Sequence, residues 1–201
     1  MDANIGTWNP DWPSTRTDFW DLLVSTRSLA TDWDGGYPTG EDLCDVFAQV
    51  LTQSLIASSA GGKFPALDFQ WCFKCYFIMA LEERRAAGED FTALRNEWYS
   101  EYSKLEGRTK NHPASAEFYH RVINVGIGRK PFRTQQGYIG LGPFILRPGD
   151  VVCVFYGSRV PFILRPVGDR FQFLGECYLH GIMNGEALSD GRNMSQTFQI
   201  L

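Results

Sequence analysis

Three side chains near the end of the chain have types and spacing suited to acid–base chemistry: Glu176, Tyr178 and His180. Alternate residues of a regular β-strand point to the same face, so these three would place a carboxylate, a phenol and an imidazole together. Such a group can orient a substrate or move a proton, and Glu186 could join it. The same side chains could instead form a buried hydrogen-bonded cluster that fixes the end of a sheet. The sequence leaves both interpretations open.

Other catalytic or cofactor motifs are not expected. Cys177 and His180 are three residues apart, so on a strand their side chains point to opposite faces and do not form a nucleophile–base pair. Cys72 and Cys75 form a CxxC, but no second ligand pair accompanies it and it lies in an apolar helical stretch. The glycines of 137–142 precede a proline and strands rather than a helix, so they do not form a phosphate loop. We therefore predict no metal and no cofactor.

Composition excludes further classes of partner. The formal net charge is -4, and the basic residues are scattered rather than clustered as in nucleic-acid-binding proteins. The longest apolar stretch, 71–81, contains Lys74 and is shorter than the roughly 18 residues that suggest a membrane span. The first residues lack the basic and apolar blocks of a signal peptide. The sequence thus predicts a cytoplasmic protein without nucleic-acid or membrane partners, whose five cysteines are thiols.

The first part of the chain has helical periodicity. Apolar residues recur at intervals of three and four and predict helices over 15–30, 41–58, 67–87, 91–105, and from Pro113 to near Gly126. The aromatic residues on these faces either fill the core or line a pocket for an apolar ligand. The candidate ligand-binding residues on these helices are Trp71, Tyr76, Trp98 and Tyr102. Two more candidates, Tyr138 and Arg165, lie in the following part of the chain.

The rest of the chain alternates short β-prone runs with glycine and proline. The runs at 132–134, 137–139, 151–156, 160–165, 171–174 and 177–180 predict an antiparallel sheet or small barrel. The run 151–156 is apolar on both faces and is expected to be central, with a turn at Gly157-Ser158 leading into a hairpin. The fold class is therefore α+β, with a helical part, 1–128, packed on a β-rich part, 129–201, around one shared core.

A short string occurs twice in the β-rich part. Pro143–Asp150 is nearly repeated as Pro161–Asp169, and we interpret the copies as two neighbouring strand ends. Arg147 and Arg165 hold equivalent positions, and the aspartates of the following turns, Asp150 and Asp169, are expected to bridge to them across hairpins. Recognition of an anion by these arginines is the alternative.

Four motifs of this part together resemble a known family. Gly137–Pro143, Pro148–Val152, Pro161–Pro166 and Gly175–Leu188 are similar to the C-terminal region of fungal heterokaryon incompatibility (HET) proteins, over about Arg129–Leu188. Asn184 stands where the family often has aspartate. The HET domain, which the family links to cell-death signalling, has no counterpart in this sequence. We therefore do not expect the family role to carry over directly.

Two functional hypotheses follow. The first is an aromatic pocket that binds an apolar small molecule and catalyses its cofactor-independent cyclisation, of pericyclic or Diels–Alder type, in fungal secondary metabolism. Such a reaction needs mainly shape, desolvation and one or two hydrogen bonds, which Glu176, Tyr178 and His180 could supply. The second, which the resemblance implies, is a non-enzymatic module for protein interaction or self/non-self recognition.

Overall fold

The computed structural model describes residues 3–4, 36–53, 86, 88, 118, 121–122, 124–189 and 195–201. The chain divides into two compact units, one formed by 1–46 with 126–201 and the other by 47–125. The first of these holds all the named strands. The helices predicted over 15–30, 67–87 and 91–105 lie outside the described residues, apart from residue 86. No helix in the described part of the chain is long and apolar enough to cross a membrane.

The described helical segments begin and end for local reasons. Helix α1, Leu43–Thr52, has a fully buried apolar face that includes Val46 and Val50, as the periodicity predicts. It ends earlier than predicted because Gln53 takes a positive φ of 49° while its N–H bonds to the Val50 carbonyl at 3.2 Å. Helical backbone also occurs at 118, 121–122 and 124–126, and a turn at 127–128 follows it. This confirms the predicted end near Gly126.

Four strands form the larger sheet, in the order β1-β4-β5-β6 with every pair antiparallel. Their bounds are β1 Ala3–Asn4, β4 Val151–Cys153, β5 Phe162–Val167 and β6 Arg170–Glu176. The predicted hairpin between β4 and β5 is confirmed, and β4 lies between two neighbours, as its apolar sequence predicts. Gly168-Asp169 joins β5 to β6 as a two-residue turn, for which Gly168 supplies a φ of 63°.

Three strands form the second antiparallel sheet, in the order β2-β3-β7. They are β2 Arg129–Arg133, β3 Ile139–Pro143 and β7 Tyr178–Leu179, and the short helix α2, Glu186–Ser189, follows. Gly140 makes the close approach of β3 to β7 possible, because a Cβ at this position would lie 2.2 Å from the Tyr178 carbonyl oxygen. The described strands thus form two sheets rather than one closed barrel, and the predicted α+β class is confirmed.

One apolar cluster joins the two sheets and α2. Ile163 of β5 and Leu179 of β7 are almost completely buried in it, and Val152 of β4 packs beside them. The full set of buried members is Phe132, Leu146, Val152, Ile163, Cys177, Leu179, Ile182 and Ala187. The sheets therefore share a core, and neither has to bury its apolar face alone.

The two copies of the repeated string take different structures. The second copy forms β5, where Ile163 is 0% exposed. The first copy leaves β3 at Pro143 and continues as turns, so Phe144 and Ile145 are 61% and 40% exposed. The interpretation of both copies as strand ends is therefore wrong for the first, because its backbone is held by turns rather than by a neighbouring strand.

A partly buried ion pair connects the two copies. The Arg165 guanidinium of β5 donates two hydrogen bonds of 2.8 Å to the Asp150 carboxylate and one of 2.7 Å to the Ile145 carbonyl. Asp150 also accepts a 2.7 Å bond from the Arg147 N–H. The hydrogen bond to Asp150 is the main reason that the pKa of Arg165 is raised. The predicted arginine–carboxylate bridge is thus confirmed for Arg165 and Asp150.

We expect Asp150→Ala to lower the free energy of unfolding by about 1–3 kcal/mol, because it removes the shared acceptor of the partly buried Arg165 guanidinium and of the Arg147 N–H. Asp169→Ala is the matched control, since Asp169 occupies the equivalent place in the second copy but lies in an exposed turn. It should change stability by less than about 0.5 kcal/mol. Urea unfolding of both variants measures the difference, and equal losses would contradict the assignment.

Candidate functional site

The region of Glu176, Tyr178 and His180 is a junction between the two sheets rather than one strand. Strand β6 ends at Glu176 and β7 begins at Tyr178, with Cys177 between them donating its N–H to the Pro161 carbonyl at 2.9 Å. The exposed Glu176 carboxylate pairs with Arg129 at 2.9 Å. The expected grouping of Glu176 with Tyr178 and His180 is therefore wrong, because the strand is interrupted at Cys177.

Tyr178 and His180 do come together, and a different carboxylate completes the group. The Tyr178 hydroxyl lies 3.0 Å from His180 Nδ1, and His180 Nε2 lies 2.9 Å from a carboxylate oxygen of Glu41. Tyr178 and His180 are each 6% exposed, whereas the Glu41 side chain is 40% exposed. Thr39 donates a hydrogen bond to the same carboxylate. A relay of hydrogen bonds thus runs from a buried phenol through an imidazole to a carboxylate in contact with solvent.

Tyr37 attaches the same N-terminal segment to the backbone of the sheet. Its hydroxyl donates to the His180 carbonyl at 3.0 Å and accepts from the Ile139 N–H at 3.2 Å. The opposite bond of this pair is direct, from the His180 N–H to the Ile139 carbonyl at 3.0 Å. The phenol is therefore inserted into the ladder at the end of β3 and β7. Burial raises the pKa of Tyr37 well above its usual value, so the hydroxyl stays protonated.

A close approach at Gly181 completes the docking of residues 37–41. Gly181 has a φ of 82°, and a Cβ there would lie 2.7 Å from the Thr39 methyl carbon. The Tyr138 ring packs edge-on against Tyr37, with centroids 6.1 Å apart. We call Tyr37, Glu41, Tyr138, Tyr178 and His180 together the His180 cluster.

Glu186 lies near this cluster at the start of α2. It accepts hydrogen bonds from the Asn184 N–H at 2.7 Å and the Asn184 side-chain amide at 3.2 Å. Burial raises its pKa, but these bonds and a hydrogen bond from its own backbone N–H outweigh that effect, so the pKa is lowered. Glu186 therefore organises the turn before α2.

The His180 cluster has the chemical groups for proton transfer, but in its observed geometry these groups hydrogen-bond to one another and stabilise the fold. A neutral His180 can accept from the Tyr178 hydroxyl at Nδ1 and donate to Glu41 from Nε2, so both ring nitrogens are satisfied within the protein. The bonds bring together residues 139 positions apart in the chain. These hydrogen bonds attach the segment before α1 to the residue that follows β7.

The remaining candidate residues are distributed differently. Arg165 is bound to Asp150, and Tyr138 belongs to the His180 cluster. The other predicted ligand-binding residues lie outside the described part of the chain: Trp71, Tyr76, Trp98 and Tyr102. Glu41 and Tyr37 were not predicted, and no local motif marks either of them as a partner of His180.

The two described cysteines in this region are buried free thiols. Burial raises the pKa of Cys153 to about 11 and that of Cys177 further still. Both therefore stay protonated near neutral pH and are poor nucleophiles. Within the ranges that the structure describes, no group of three or more histidine, cysteine or acidic side chains could hold a metal ion.

We expect Tyr37→Phe to lower the free energy of unfolding by about 1–3 kcal/mol, since it leaves the Ile139 N–H and the His180 carbonyl without their shared buried partner. Tyr156→Phe removes the same hydroxyl from a side chain that is 82% exposed and is the matched control. Amide exchange at Ile139 should accelerate in Tyr37→Phe alone. An unchanged rate there would contradict the inserted hydrogen bond.

Comparison with known proteins gives a consistent result. The family model described as the Het-6 beta-barrel domain matches residues 53–199. Heterokaryon incompatibility protein 6, OR allele, of Neurospora crassa is 34% identical over 111 residues. That match covers 49% of this chain and 16% of the relative, so the similarity concerns a small part of a longer protein. No solved structure matches the chain.

Proposed function

The chain belongs to the Het-6 beta-barrel domain family, and on this premise we propose that it is a non-enzymatic recognition module that binds another protein. Membership confirms the resemblance to HET proteins inferred from the sequence. The relative from Neurospora crassa is named for heterokaryon incompatibility. The proposal transfers only the recognition role to this chain.

The observation that carries the proposal is an exposed apolar group at one end of the β2–β3 ladder. Ile127 is 74% exposed and Phe144 is 61% exposed. The Phe144 N–H bonds to the Gly128 carbonyl at 3.1 Å, which brings these two neighbouring segments together. Ile145, which is 40% exposed, extends the group. Large apolar side chains grouped on a surface are typical of a protein interface.

The His180 cluster also supports this proposal, because its side chains are occupied in stabilising the fold. Its tyrosine and histidine side chains at the junction of the sheets are nearly inaccessible, and their polar atoms bind partners within the protein. Buried polar groups satisfied in this way stabilise one particular structure. The side chains of this cluster that could take part in acid–base chemistry therefore stabilise the fold.

The test uses the full chain as bait in an extract of fungal hyphae, with covalent crosslinking and quantitative mass spectrometry. Native mass spectrometry of the same bait, incubated with a fungal metabolite extract, runs in parallel. The proposal expects a specific protein crosslinked to the folded chain and not to the heat-denatured chain, with no metabolite retained or transformed. A transformed metabolite without a protein partner would contradict it.

A second candidate function is the cofactor-independent cyclisation of an apolar substrate. The relay from Tyr178 through His180 to Glu41 is the observation that favours it, because such a relay can supply a hydrogen bond or a proton to a bound substrate. This candidate replaces Glu176 with Glu41 as the carboxylate of the group.

His180→Ala and Tyr178→Phe separate the two functions. We expect His180→Ala to lower the melting temperature by several degrees, corresponding to about 1–3 kcal/mol, because it leaves the Tyr178 hydroxyl and Glu41 without their shared partner. Tyr178→Phe should act in the same direction with a smaller loss. Unchanged melting temperatures in both variants, with loss of a measured turnover, would favour the enzyme. Thermal unfolding followed by circular dichroism provides the measurement.

A further inference from the structure

We propose that the surface formed by Ile127, Phe144, Ile145 and Arg147 binds a partner segment in which apolar side chains are flanked by aspartate or glutamate. The inference rests on the recognition function proposed above and specifies its binding surface and the chemistry of its partner. We call these four residues the loop surface.

The apolar area differs from the equivalent positions of the second copy, whose side chains pack against the rest of the protein. Ile145 is 40% exposed, whereas Ile163, at the equivalent position of the second copy, is completely buried. Phe144 is likewise exposed, whereas the equivalent Phe162 packs against Phe155 and Phe173 with ring centroids 5.3 Å from each. Two large apolar side chains of the first copy thus lack the packing that their counterparts have. Covering them in a complex would remove apolar surface from water.

The charge of the loop surface specifies the flanking residues of the partner. Arg147 is exposed, and across the described ranges its guanidinium has no hydrogen bond or ion pair; only its backbone N–H is bound, to Asp150. It lies two residues from Ile145, so the two Cα atoms are at most about 7 Å apart. Arg129, which pairs with Pro143 of β3, is instead bound to Glu176. An available cation beside an apolar area is complementary to a carboxylate on the partner.

The loop is also held in one conformation before any partner arrives. The Leu146 N–H bonds to the Pro143 carbonyl at 3.0 Å, and the Asp150 N–H bonds to the Arg147 carbonyl at 3.2 Å. Arg165 fixes the Ile145 carbonyl from β5, and the buried Leu146 side chain anchors the middle of the loop in the core. A preformed loop loses little conformational entropy on binding, so the exposed side chains are available at low cost.

The test selects peptides from a random phage-displayed library on the full chain and measures their affinity by fluorescence anisotropy. We expect the selected peptides to combine aromatic or aliphatic residues with aspartate or glutamate. Phe144→Asp and Arg147→Glu should each weaken binding by about tenfold or more, as expected for a central contact. Circular dichroism checks that each variant keeps the native fold.

Two matched controls accompany these variants. Tyr156→Asp places the same charge on an exposed aromatic residue in a different turn, and Arg170→Glu reverses an exposed charge on β6. Both should change the affinity by less than about twofold. A peptide whose acidic residues are changed to lysine should recover binding to Arg147→Glu, because the reversed charges are again complementary.

Three outcomes would overturn the inference: no enriched peptide, enriched peptides without acidic residues, or affinities that are the same for Phe144→Asp, Arg147→Glu and the wild type. The crosslinking experiment separates this failure from failure of the proposed function. If the hyphal protein is captured equally by wild type and by Phe144→Asp, the recognition function stands and the loop surface is wrong. If no protein is captured by the wild type, the proposed function itself fails.

Discussion

The ion pair between Arg165 and Asp150 holds the loop between β3 and β4 in place, and the exposed side chains of the loop surface depend on it. Its carboxylate is almost completely buried and receives three hydrogen bonds, two from Arg165 and one from the Arg147 backbone. A buried carboxylate without such partners would be strongly unfavourable. The ion pair therefore fixes the position of the loop after β3 relative to β5. The same guanidinium also donates a hydrogen bond to the Ile145 carbonyl. One side chain therefore holds both the buried Asp150 and the exposed Ile145 in position.

The His180 cluster performs a comparable task at the other end of β3. Tyr37 inserts its hydroxyl between two backbone groups, and Glu41 binds the imidazole of the same residue, His180. These bonds attach residues 37–41 to the sheet β2-β3-β7, whose strands all follow residue 128. The buried polar residues thus stabilise the architecture, whereas binding of a partner by the exposed apolar residues of the loop surface is our proposal.

For α1 and β4, the sequence predicted the class of the element better than its partners. The periodicity around Val46 and the apolar run of β4 were sufficient for α1 and for a strand between two neighbours, because both signals are local. The repeated string was misleading. Its second copy forms a strand because β4 and β6 pair with it, whereas its first copy continues beyond β3 as turns. The pairing of Tyr178 with His180 followed from strand alternation. Glu41 could not be predicted, because the contact joins residues 139 positions apart.

Hydrogen exchange of the backbone amides in the wild type and in Arg165→Gln shows whether Arg165 holds the loop surface in a preformed conformation. We expect the amides of Leu146, Arg147 and Asp150 to be protected in the wild type and to exchange faster in Arg165→Gln, while the amide of Ile163 keeps its protection in β5. Equal exchange at the three loop amides in both proteins would show instead that the conformation of the loop does not depend on Arg165.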